Sequence, residues 1–209
     1  WIIERTRRVV SEGVGRLEAV VSETPVLTPP LYEAARRVAS RFLATTSQVL
    51  SLAVPPRHAR AEREVLVSAA PAWPVVDAPG AGEGWRAYSA GQALLSRLGA
   101  GESPRAVVTS LQPHLRSCLS QAVAATVSSG RSVVVITATG EQASRVARDL
   151  EDDLGVPTAL SGGEVGAEER YRVHVAASLG RVPIVVGTRS AVWVPCASLG
   201  LIIIVGDGD

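Results

Sequence analysis

The chain has 209 residues, 46% hydrophobic and 20% charged, with a formal net charge of +1; this balance excludes global disorder and leaves enough apolar surface for one large or two small domains. No apolar run reaches the roughly 18 to 20 residues that a bilayer-spanning helix needs, and the charged start at Glu4, Arg5, Arg7 and Arg8 is no signal-peptide core. A cytoplasmic protein without membrane partners is expected.

The sequence holds no Met and begins on Trp1, so we expect further sequence in front, and the apolar run Leu201–Val205 passing straight into a loop suggests more behind. Cys118 and Cys196 stand far apart, with no second thiol or His at zinc-ligand spacing, and are expected to be buried apolar thiols. All 21 basic residues are Arg, which removes every chemistry that needs an amine. Residues 1–63 hold ten Arg against six acids and the remainder eleven against fourteen, so the first third is cationic (+4) and suited to phosphate.

Trp1–Arg5 reads as a strand end. Thr28 as N-cap and Pro29 at the first helical position open an amphipathic helix to Leu43, with Leu31, Ala35, Val38, Ala39 and Phe42 sharing a face. A short helical pattern over Gln48–Val54 stops at Pro55-Pro56. Ser68–Gly84, rich in Ala, Pro and Gly without a sustained period, reads as a linker.

Beyond it the pattern is regular. Strands are expected at Ala106–Thr109, Ser132–Thr137, Val156–Leu160, Val182–Val186 and Leu199–Val205, and helices at Pro113–Ser129, Glu141–Leu154 and Ala167–Leu179, with Gly130 and Gly155 as C-caps. Apolar strands alternating with helices make βαβ units and a parallel sheet covered on both faces.

Ligands of such folds bind at the C-terminal ends of the strands. After the first expected strand, Thr109-Ser-Leu-Gln-Pro-His114 offers no Gly, and Pro113 lacks a donor, so a phosphate loop with its Lys is excluded. After the last, Gly206-Asp-Gly-Asp209 carries carboxylates one step away from where they would hold Mg²⁺; Asp207 and Asp209 read as a degenerate nucleotide site, or as two acids in a solvated turn. Gly187-Thr188-Arg189-Ser190 is the best candidate binding loop, since its donors suit phosphate oxygens, although an ordinary strand-to-helix turn capped by Thr188 also explains it. His58, His114 and His174 read as structural, and Trp73, Trp85 and Trp193 as packing anchors.

Val185-Val-Gly-Thr-Arg-Ser-Ala-Val-Trp-Val-Pro-Cys-Ala-Ser-Leu-Gly-Leu-Ile-Ile-Ile204 resembles the PriA family of superfamily 2 helicases, in which a Gly-Thr-Arg-Ser-Ala loop and a Leu-Gly-Leu-Ile strand lead into an Asp-Glu-Glu-His box. Ala159–Tyr171, with its Ser-Gly segment, is also similar, as are Pro25–Pro29 and Val49–Pro56. Val205-Gly-Asp-Gly-Asp209 replaces the acidic box and Thr137-Ala-Thr-Gly140 a Pro-Glu-Ile, departures that resemble the actinobacterial branch with degenerate motor motifs.

The resemblance implies a fragment in three parts. Residues 1–60 would be the C-terminal part of a small α+β domain that binds DNA 3′ ends, 61–103 a reduced linker, and 104–209 the first RecA-like lobe, a P-loop NTPase fold without a working P-loop. It implies a nucleoid-associated DNA-binding protein for restart of stalled replication forks, with branched and single-stranded DNA and primosome and replisome proteins as partners. Arg189 and Thr188 would touch phosphates, with Gly187, Ser190, Arg57 and Arg60 adding to the interface. No catalytic residue is expected; the ATP, Mg²⁺ and zinc of the family would belong to intact motifs and to a zinc module elsewhere. The alternatives are an active ATP-dependent 3′-to-5′ helicase and a scaffold that binds replication proteins but no DNA.

Overall fold

The computed structural model describes residues 19–22, 24–69, 73, 75–77, 80, 82–110, 112–162 and 165–206. The strand end expected at Trp1–Arg5 and the acids Asp207 and Asp209 lie outside the described residues. Four parallel strands, β1 (Ser132–Ile136), β2 (Thr158–Ser161), β3 (Ile184–Gly187) and β4 (Leu199–Ile204), form one sheet in the order β2-β3-β1-β4.

Alternation along β1 builds the layers. Val133 and Val135 face α5 (Gln112–Ser128) and α6 (Gly140–Leu154), meeting Val123, Val127, Ala147 and Leu150 in the largest core. Val134 points the other way, to Val173 on α7 (Ala167–Ser178) and to Ala191 in the 3₁₀ turn Arg189–Trp193. Helices on both faces of a parallel sheet give the α/β lobe that the sequence pattern required. Gly130 and Gly155 have φ of 77° and 64° after α5 and α6, the left-handed C-cap conformation that favours Gly.

Three helices precede this lobe and dock on it. Both α1 (Pro29–Arg41) and α2 (Thr46–Ala53) pack beside Trp193 through Leu27, Leu31, Leu50 and Val54, while α3 (Ala59–Val67) sets Ala61 and Val65 against Tyr171 and Val175 of α7. A polar joint seals the second contact: Glu62 accepts from Tyr171 Oη at 2.6 Å, Ser22 Oγ at 2.7 Å and Arg57 Nε at 2.9 Å. Cys118 is buried, as expected, whereas Cys196 is only partly covered.

Three expectations change. Ala106–Thr109 is not a strand: residues 102–110 have no regular structure, Val107 is fully exposed, and among the described residues β4 pairs with β1 alone. A run of β-branched residues becomes a strand only when a neighbouring backbone completes its ladder; here Thr109 is instead held by its carbonyl, which accepts from Tyr88 Oη at 2.9 Å.

The stretch read as a linker is fastened at several of its described residues. Val76 is buried beside α5 and exchanges two hydrogen bonds with Ser128 Oγ, and Trp73 Nε1 donates to the Gly180 carbonyl at 2.9 Å. A further helix, α4 (Gly91–Gly99), packs with Trp85 on α5. A few apolar anchors suffice to pin irregular backbone.

Phe42, assigned to the buried face of the first helix, is 72% exposed. The helix stops at Arg41 and Phe42 leaves helical geometry (φ −110°, ψ 16°), so the side chain swings off the stripe formed by Leu31, Ala35 and Ala39. Leu43 follows with φ 53°, a left-handed conformation that costs a residue with a Cβ roughly 1 kcal/mol.

Candidate functional site

The C-terminal ends of β2 and β3 and the first turn of α6 line a small, open groove. Its walls include Gly140 and Ser144 of α6, Ser161 and Gly162 at the end of β2, and Gly187 and Thr188 at the end of β3. Such a crevice beyond the carboxyl ends of parallel strands is where open α/β sheets take their ligands.

Each wall has a local cause. Thr139 caps α6 by accepting from Gln142 N at 3.2 Å, leaving other first-turn N–H groups without helical acceptors at the positive end of the helix dipole. Gly187 is glycine for an internal reason: a Cβ there would lie 1.7 Å from the Ser161 carbonyl oxygen and 2.9 Å from Ala191 Cβ. The close approach of β2 and β3 brings Ser161 and Thr188 to one groove. Thr137 braces it from below, its Oγ1 donating to the Thr139 carbonyl at 2.9 Å and its N–H to the Gly187 carbonyl at 2.9 Å.

Thr188 precedes the 3₁₀ turn but makes no side-chain cap, so its hydroxyl is not committed to the role that the local sequence offered. Arg189 and Ser190 are exposed beside it, and Arg189 forms no ion pair among the described residues. This part of the site offers a hydroxyl, a guanidinium and backbone donors, the groups that hold phosphate oxygens.

Arg57 and Arg60 are placed differently. Both border α3 instead of the groove; Arg57 donates to Glu62 and Arg60 to Glu64, each at 2.9 Å. Arg36 and Arg37 share Glu33 in the same way. Arg36, Arg37, Arg57 and Arg60 are therefore all ion-paired.

Sequence reasoning did not single out Gly140, Ser144, Ser161 or Gly162 as site residues. All lie just past strand ends or in the helix turn that follows, so a search of every such loop would have found them.

The loop expected to have lost its phosphate site lies ahead of α5. No strand leads into it, residue 111 lies outside the described residues, and α5 begins at Gln112 with Pro113 in its first turn. Among the described residues no group of three His, Cys, Asp or Glu is placed to hold a metal ion, and no helix is long and apolar enough to cross a membrane.

No family model matches the chain. Its whole length is nevertheless 41% identical, over 214 aligned positions, to the probable replication restart protein PriA of Mycobacterium tuberculosis and of Mycobacterium bovis, and 33% identical to that of Mycobacterium leprae. The chain spans about a third of the length of these curated relatives: 32% for the first two and 33% for the last. The resemblance read from its motifs is thus borne out from end to end.

Proposed function

Because the chain is a PriA-type segment throughout, we propose that it is a DNA-binding part of a replication restart protein. In this reading it recognises stalled, branched forks and their single-stranded or 3′ ends, helps primosome and replisome proteins to reload, and works without helicase activity of its own. Residues 1–60 act as the end of a DNA-end-binding domain, 61–103 as a connection and 104–209 as a RecA-like lobe that grips DNA without hydrolysing ATP.

One observation carries the reading: Thr188, with an uncapping hydroxyl, lines the groove formed by β2, β3 and α6, and the exposed Arg189 follows it in the chain. A strand backbone laid across that groove would meet Thr188 Oγ1, the Arg189 guanidinium and the Ser190 hydroxyl. Such contacts fix register without reading sequence.

The test is fluorescence anisotropy with a forked oligonucleotide over a salt series. The chain should bind, with affinity falling steeply as salt rises, because bound phosphates release counterions. Arg189→Ala should lower the salt slope by about one and weaken forks of unrelated sequence alike. Absence of binding at low salt would overturn the proposal in favour of a scaffold, and DNA-stimulated ATP hydrolysis by the full-length parent protein would overturn its non-hydrolytic part.

A further inference from the structure

The turn joining α1 to α2 presents two large apolar side chains to solvent. Phe42 is 72% exposed and Leu43 98% exposed. Phe42 is the single Phe of the chain.

Leu43 has no folding role in this turn. It occupies the left-handed position after a helix, where Gly is at ease and a branched side chain is strained, and its side chain buries nothing. The turn itself is held rigid by the backbone. Phe42 N–H donates to the Val38 carbonyl and Ala44 N–H to the Ala39 carbonyl, both at 3.0 Å, and Thr45 and Gln48 form a reciprocal capping box at the start of α2. Two apolar side chains are thus carried on a firm backbone.

Charge indicates what such a turn meets. The Arg41 guanidinium lies 5.8 Å from the centroid of the Phe42 ring and has no ion-pair partner among the described residues. Residues 29–53 carry Arg36, Arg37 and Arg41 against the single acid Glu33, and the hairpin packs on Trp193, in the turn that begins with Arg189. An aromatic ring with Arg on one face and open space beside it, within a cationic element, suits a flat heterocycle joined to a phosphate. An acid-rich protein surface would satisfy the Arg but supplies no flat partner for the ring.

We propose that Phe42 and Leu43 form a wedge on which an unpaired nucleobase of single-stranded DNA at a branch point stacks, with Arg41 at the adjoining phosphate. This rests on the DNA-binding reading and adds a second contact outside the groove.

The experiment uses the 209-residue chain with three probes, a forked oligonucleotide, its single-stranded arm and a blunt duplex, and the variants Phe42→Ala, Phe42→Trp and Leu43→Gly. Phe42→Ala should weaken the fork and the single strand by about tenfold and leave the duplex unchanged, since stacking on an aromatic ring is sequence-tolerant and needs a free base. Phe42→Trp should retain or tighten binding. Leu43→Gly should weaken the fork while raising the melting temperature, a combination that a structural role cannot give.

Equal fork affinity for the parent chain, Phe42→Ala and Leu43→Gly would overturn the wedge and leave the groove reading standing. Equal losses on fork and blunt duplex would also overturn it, because a duplex has no unpaired base within its length. No binding by the parent chain to any probe would overturn both.

Discussion

The phenol of Tyr171 on α7 donates a 2.6 Å hydrogen bond to the carboxylate of Glu62 on α3, 109 positions away in sequence. Both side chains are buried, Tyr171 to 1% and Glu62 to 6% exposure, so the bond joins the N-terminal helices to the lobe where water has little access. Burial works to raise the Glu62 carboxyl, but donors from Arg57, Tyr171 and Ser22 outweigh it and hold the group below its ordinary value. Burial and the same carboxylate raise the Tyr171 phenol.

Tyr171→Phe should therefore destabilise the chain by about 1.5–3 kcal/mol, the usual range for a hydrogen bond to a charged group. Urea unfolding measures it, and the double variant Tyr171→Phe with Glu62→Leu should lose less than the sum of the single changes, because no buried carboxylate is left short of a donor.

Acid should loosen the molecule in two stages. His174 is buried and its Nε2 bonds the Val26 carbonyl at 2.8 Å; a carbonyl only accepts, so Nε2 carries the proton. Burial depresses the ring below 6.5 despite that bond. The folded state then holds fewer protons than the unfolded chain, and the contribution of neutral His174 is whole above 6.5 and drains as pH falls toward the depressed folded value. That of Glu62 is whole above its ordinary 4.5 and is lost as pH falls through the lowered value. Urea midpoints at pH 8, 6, 5 and 4 should fall in that order, and His174→Gln should flatten the step between pH 8 and 6.

Gly187→Ala should damage the fold rather than the surface. The added carbon would sit 1.7 Å from the Ser161 carbonyl oxygen, which no side-chain motion relieves, so β2 and β3 must separate. A loss of several kcal/mol is expected in urea unfolding, as for other overpacked sites, and DNA binding should fall with it. Thr188→Val, which keeps the shape and removes the hydroxyl, should leave the unfolding midpoint within about 0.5 kcal/mol and still weaken fork binding.

The Arg116 guanidinium on α5 reaches Asp149 at 2.7 Å and Asp153 at 2.6 Å on α6, and Ser120 donates to Asp153 at 2.6 Å. Bonding to Arg116 holds the Asp153 carboxyl below its usual range, although burial opposes it. Arg116→Met should cost about 1 kcal/mol, since the pairs are partly solvated and screened. Raising the salt concentration should lower the stability of the parent chain more than that of the variant.

Strands β1 to β4, helices α5 to α7 and the loop Gly187–Ser190 were all legible in the order of residues, because a parallel strand buried on both faces is a short unbroken apolar run and the crossing helix between two such runs is longer, with Gly at its end. The absence of Lys and of a Gly-rich loop before α5 was equally plain, since a missing residue type needs no structure to establish it. Tertiary contacts decided the rest. Val107 and Val108 have the composition of a strand but no ladder to join, and Gly187 serves the β2–β3 contact before it can serve a ligand. Glu62, which pairs Arg57 locally, is buried only because Tyr171 of α7 closes over it. Local pattern fixes what each segment can become; whether an edge is paired or two strands pack closely depends on neighbours distant in the chain, and only folding brings those together.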